Sequence, residues 1–145
     1  MTKLEIKANG KKYWIYCALD LEKRKIIALR TFPSRDYLST LRFLTEVKSK
    51  CRNKDFVVIT DRLPSYKIAC KRLGIEHENE TFGKRSLVES CFSSLKQQSK
   101  RFFNNVNVVF KKELKRRDEN LIAKRVMEVL DLFCLQFMFY YNYLR

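Results

Sequence analysis

The apolar run from Phe56 to Ile59 constrains this chain more than any other segment, because it is too short for a helix and too continuous for a strand with one wet face. It predicts a strand buried on both faces. Thr60 and Asp61 end the run, and Glu89 follows 28 positions later in a basic stretch with helical spacing. A strand-end Asp and a helical Glu are what a fold needs to bring two acids together over a divalent metal. That chemistry needs oxygen ligands and makes no demand on Cys or His.

The flanking segments supply a framework for such a strand. Thr2 to Lys7 and Lys12 to Leu19 carry β-branched and aromatic residues on either side of Asn9-Gly10, a hairpin signal. A turn through Glu22, Lys23 and Arg24 leads to a third strand, Lys25 to Phe32. After Pro33, Ser34 is the expected N-cap, with Asp36 in the first turn of an amphipathic helix that carries Leu38, Leu41, Phe43, Leu44 and Val47 to about Lys50. Pro64 opens a second helix that stops at Gly74, and Ile75 to Glu78 reads as a short strand. A helix is expected from about Arg85 to Phe103, a turn at Asn104 to Asn107, and a last helix from Asp118 or Glu119 towards Arg145. Three strands, helix, strand, helix, strand and two helices is the order of the RNase H-like fold.

The 145 residues suffice for one domain with a single core. Thirty-one Lys and Arg against 16 Asp and Glu leave a net charge of +15, an excess that favours a polyanionic partner. The basic excess peaks between Lys84 and Arg117, where ten basic residues face two acids, or +8. Cys17, Cys51, Cys70, Cys91 and Cys134 are scattered, and His77 is the single histidine. That pattern argues against a disulfide framework or a zinc site and for a reducing cytosol. Leu130 to Tyr143 is apolar and aromatic, but Asp131, Gln136 and Asn142 interrupt it, and it is shorter than the roughly 20 residues of a membrane span. With Phe133, Phe137, Tyr140 and Tyr141 it reads as a core helix, a dimer surface being the minor alternative.

Several blocks together resemble one family. Thr60-Asp61-Arg62-Leu63-Pro64-Ser65-Tyr66, Gly74-Ile75-Glu76-His77, Glu80-Thr81-Phe82-Gly83-Lys84-Arg85, Val88-Glu89-Ser90-Cys91-Phe92, and Leu95-Lys96 through Lys100-Arg101 to Asn105 resemble DDE transposases of prokaryotic insertion sequences. The likeness is to the archaeal branch of the insertion-sequence-six type and spans nearly the whole chain. It implies an α/β, RNase H-like (retroviral-integrase-like) domain over residues 1–145, with a mixed five-stranded sheet flanked by helices. It also implies metal-dependent DNA cleavage and strand transfer with Mg²⁺ or Mn²⁺, Asp61 as the second catalytic acid and Glu89 as the third. By the same resemblance the first Asp would fall just before Met1, together with the first half of the first strand and a helix-turn-helix that recognises element ends. The expectation is therefore an amino-terminally truncated copy. Ser86-Leu87 departs from the family, which commonly has Asn and a small residue there.

Asp20, at the end of the second strand, is the candidate substitute for the missing acid, although a one-residue offset turns a strand side chain to the other face. A turn or ion-pair role weighs more heavily for it. Asp61 followed by Arg62 could by itself be a loop ion pair. Glu89, Lys96 and Lys100 share one helical face, so phosphate contact beside the acids is expected, with Lys84, Arg85 and Arg101 adding to the DNA-binding set; a solvated basic face is the bland counterpart. Phe102 and Phe103 could stack on bases, but core packing is the stronger expectation. Expected partners are DNA, as element ends and target, and further copies of the chain in a homodimer or larger assembly. No membrane association is expected, and the place is the cytoplasm at the nucleoid. The competing readings are a catalytically inactive DNA-binding remnant that interferes through mixed assembly, and an RNase H-like nuclease.

Overall fold

A computed structural model of the chain describes residues 1–8, 11–51, 56–60, 64–79, 89–102 and 119–144. Strands β1 (Thr2–Ala8), β2 (Lys11–Asp20) and β3 (Lys25–Phe32) form an antiparallel meander, with Thr2 opposite Cys17 and Trp14 opposite Phe32. Alternation sends Tyr13, Ile15 and Cys17 to one face of β2 and Tyr16 and Ala18 to the other. The β2–β3 turn is closed by Asp20, whose carboxylate accepts from the backbone N–H groups of Glu22 at 3.0 Å and Lys23 at 3.1 Å. Arg24 there adopts a left-handed φ of 53°. The Asn9-Gly10 turn lies outside the described residues.

Helix α1 (Tyr37–Lys50) covers the Tyr16 face. Its N-cap is Asp36, which accepts from the Ser39 N–H at 2.9 Å, in place of the expected Ser34. The helix begins at Tyr37, so only Asp36 sits where a side chain can reach the first orphan amides; Ser34 instead meets the Ser39 hydroxyl at 3.2 Å. Phe43 packs edge-to-face on Tyr16 and Phe32, with ring centroids 5.4 and 6.4 Å away. The buried hydroxyls of Tyr16 and Thr40 meet at 3.4 Å.

Strand β4 (Val57–Thr60), helix α2 (Pro64–Leu73) and strand β5 (Glu76–Asn79) form a parallel crossover unit in which Val58 is opposite His77. Helix α2 ends at Gly74, φ 69°, where the N–H groups of Gly74 and Ile75 reach back to the carbonyls of Lys71 and Cys70. Those bonds satisfy carbonyls that the last turn leaves open. Leu44, Val58, Ala69, Cys70 and Ile75 make the shared core of α1, α2 and β4. Lys3 of β1 lies over the rings of Tyr16 and Tyr66, 5.4 and 4.8 Å from their centroids, and so ties α2 to the meander.

The opposite face of the meander is covered by helix α3, described over 89–102, and helix α4 (Glu119–Phe139), which runs into a π-helical turn, Tyr140–Leu144. Cys91 and Leu95 of α3 and Val126, Leu130, Phe133, Cys134, Phe137 and Tyr141 of the last helix pack on Ile6, Tyr13, Ile15, Cys17, Ile26 and Leu29. Phe102 stacks on Phe133 at 4.9 Å, a core position, while Phe103 lies outside the described residues. Tyr140, expected in the core, is exposed and meets the core through Phe137, with ring centroids 6.4 Å apart. Asn142 bonds both backbone groups of Ile26 with its carboxamide, at 2.7 and 3.0 Å, and so covers part of the open edge of β3.

Two expectations about the strands need correction. The strands form a three-stranded and a separate two-stranded sheet among the described residues, in place of one five-stranded sheet. The start of β1 meets β4 through one bond, from the Met1 amino group to the Ile59 carbonyl at 2.8 Å, and one bond is not a ladder. Strand β4 is also not buried on both faces: Val58 and Thr60 are buried, whereas Val57 is 42% exposed and Ile59 is intermediate. Helices α1 and α2 shield the Val58 face, and the other face is covered only in part.

Candidate metal and nucleic-acid site

The end of β4 is held from two sides. Thr60, the last described residue before Asp61, is buried, and its hydroxyl hydrogen-bonds to Nε2 of His77 on β5. Burial, then the charges of Lys67 and the amino terminus, hold the His77 imidazole below its ordinary range, so the neutral ring is favoured there. On the other side the Met1 amino group holds the Ile59 carbonyl.

Glu89 is the first described residue of α3 and is exposed. Two residues on, the Cys91 thiol hydrogen-bonds to that of Cys17; this bond first, and burial next, push the Cys17 thiol well above the usual range. Cys17 is the register partner of Thr2. Successive contacts thus run from α3 through β2 to the start of β1 and on to Ile59.

Helix α3 turns Cys91, Leu95 and Ser99 inward and leaves Glu89, Lys96, Lys100 and Arg101 exposed. At 100° per residue Glu89, Lys96 and Lys100 form one row, about 16 Å long at the helical rise. Arg101 lies off that row. Asp61, Lys84 and Arg85 are outside the described residues.

Asp20 is committed to the β2–β3 turn. The Cys51 thiol, packed against the cluster under α1, is raised first by burial and then by the Asp20 charge. Strand β1 has one acid, Glu5, which is exposed and pairs with Lys12 at 3.6 Å. Among the described residues no three His, Cys, Asp or Glu side chains are grouped to hold a metal ion. No described helix is long and apolar enough to cross a membrane.

Sequence reasoning missed His77, Met1 and Asn142 as structural partners. For Asn142 no local signal exists, because its partner lies 116 positions away. For His77 the signal was available: a lone histidine on a strand paired with the one that leads into Asp61.

Residues 4–120 match a family model described as a DDE domain, of the IS240 transposase type. An uncharacterized protein of Methanocaldococcus jannaschii is 33% identical over 102 residues, covering 70% of this chain and 47% of that protein. An uncharacterized protein of Aquifex aeolicus is 42% identical over 50 residues, covering 34% of this chain and 41% of that protein. The chain therefore spans about half or less of the length of these relatives. Among solved structures, a simian T-cell lymphotropic virus intasome in complex with the PP2A regulatory subunit B56 gamma aligns with a TM-score of 0.65 at 14% identity, covering 99% of this chain and 47% of that one. At that identity the likeness is one of fold, and it is to an integrase-like, RNase H-like arrangement of mixed α/β elements.

Proposed function

This chain belongs to the DDE-domain family of IS240-type transposases, and we propose that its 145 residues are one catalytic-type unit that binds DNA across helix α3 and the open face of β4, with Asp61 and Glu89 as its metal-binding acids. The observation that carries the reading is the run of contacts from Cys91 through Cys17 and Thr2 to Ile59, which supports a common location for Glu89 and the strand end before Asp61. In the family such domains are divalent-metal dependent, and two carboxylates are the hard oxygen donors that Mg²⁺ or Mn²⁺ takes, with water and phosphate completing the shell.

When bound, such ions activate the attacking oxygen and stabilise the leaving one in phosphodiester cleavage and strand transfer. This chain's own contribution is to hold and aim DNA. Lys96 and Lys100, in one row with Glu89, are proposed to meet backbone phosphates, and Lys84, Arg85 and Arg101 to extend that contact. The pair of Thr60 and His77 steadies the strand end. Element ends and target DNA are the proposed substrates, a homodimer or larger assembly the proposed working form, and the nucleoid the proposed place of action.

A second reading has its own observation. Strand β1 supplies no aspartate, and Glu5 is occupied with Lys12, so the first acid of the family's triad is not found in β1 of this sequence. The acids present fit a metal in kind, and in this second reading the chain binds DNA without cutting it and acts through mixed assembly with catalytic relatives.

Incubating short DNA duplexes with the protein and Mn²⁺ or Mg²⁺ separates the two. An active domain nicks or strand-transfers DNA and loses this in Asp61→Asn and Glu89→Gln; activity that survives both substitutions would overturn the site. Binding with steep salt dependence and no cleavage identifies the non-catalytic form. Cleavage without strand transfer points to a nuclease.

A further inference from the structure

The last helix is apolar on two opposite sides, and the strands use only one. Leu130, Phe133, Phe137 and Tyr141 face the core, while Leu132, Leu135, Phe139 and Tyr143 are 59, 61, 56 and 66% exposed. Spacings of three and four residues put the exposed set in a single stripe on the far side of the helix from the core set. Leu135 and Met138 line two adjoining grooves, one reaching Arg30 and Glu46 and the other Tyr143 and Leu144.

We propose that this stripe is the contact between two copies of the chain, related by a two-fold axis passing near Leu135. Charge decides the occupant. Residues 132–144 contain no Lys, Arg, Asp or Glu, and no longer uncharged stretch exists in the sequence. Two copies that each carry +15 repel wherever basic faces meet, and this stripe lets them touch without opposing like charges. The side chains of the stripe itself offer a nucleic acid no cation, and Lys25 lies over the Tyr143 ring at its end, 5.0 Å from the centroid.

A two-fold contact also needs a patch complementary to itself, which an uncharged apolar stripe on one helix satisfies. Together with Tyr140 and Leu144 the stripe offers roughly 700 Å² per copy, close to the ~800 Å² a standard interface buries on each partner. The inference rests on the assembly named in the proposed function and assigns it a surface.

Sedimentation of the DNA-free 145-residue chain over a range of concentrations tests it. A monomer–dimer equilibrium is expected that persists or strengthens as salt rises, because screening weakens the repulsion of the charged faces. Leu135→Glu, placed twice at a symmetric contact, should weaken dimerisation by roughly a hundredfold or more with an unchanged circular dichroism spectrum. Leu132→Lys is the independent second variant should the first not fold.

A wild-type chain that stays monomeric throughout, or a folded variant that dimerises as wild type does, overturns the proposal. DNA binding measured on the same samples separates this from the functional reading. A monomer that still binds DNA refutes the dimer surface alone, and a dimer that binds no DNA refutes the functional reading alone.

Discussion

The meander of β1 to β3 and the β4–β5 pair are built from similar residues but differ in how they are covered. The meander lies between α1 on one face and α3 with α4 on the other, and its inward residues Ile15, Tyr16 and Ala28 are fully shielded. The β4–β5 pair has α1 and α2 on its Val58 side, while on the other side Val57 is largely open to water and Ile59 is only partly covered. The difference teaches where stability and function reside. On the proposed function, a face that admits a nucleic acid and metal ions cannot also be packed, and the meander supplies the rigidity the open face lacks.

The contrast can be broken first in the covered half. Phe43→Ala removes a fully buried ring from the Tyr16–Phe32 cluster and should lower unfolding free energy by about 3–5 kcal/mol, read by urea denaturation. Adjacent positions on β4 sharpen it: Val58→Ala should cost about 2 kcal/mol and Val57→Ala less than about 0.5 kcal/mol. Equal losses at the two positions would mean the outer face of β4 is covered after all.

Asn142→Ala strips both bonds from Ile26 at the β3 edge and should cost about 1–2 kcal/mol, with faster amide exchange at Ile26 as its local signature. The smallest effect is expected at His77, whose folded pKa lies below the ordinary 6.5. Its contribution is present above 6.5 and is lost as pH falls through the folded value, because there the unfolded chain binds more protons than the folded one. His77→Gln should therefore flatten the acid limb of the stability profile below 6.5 and leave the neutral limb unchanged in slope.

Signals confined to a few neighbouring residues were readable from the sequence. Lys25 to Phe32 is a strand with the expected bounds, Pro64 opens α2, Gly74 ends it, and the seven- and four-residue steps from Glu89 to Lys100 do place these side chains together on the outside of a helix. What depends on distant chain was not readable. Whether the second face of β4 is covered is decided by elements elsewhere, and a four-residue apolar run looks the same in either case. The division of the strands into two sheets turns on one bond between Met1 and Ile59. The last helix showed its apolarity in the sequence, but that two sides are apolar and only one is packed emerges from the fold. Of the candidate site, Glu89, Lys96, Lys100 and Arg101 are exposed on α3, Asp20 is seen in a turn, and Asp61, Lys84 and Arg85 lie outside the described residues.

Titrating Mn²⁺ into the isotopically labelled protein and recording paramagnetic broadening tests the central claim most directly, since it asks for the site without requiring turnover. The amides of Thr60 and Asp61 at the end of β4 and of Glu89 and Ser90 on α3 should broaden together, and Asp61→Asn should abolish the effect at both places. Broadening centred elsewhere, or unchanged in Asp61→Asn, would contradict the account.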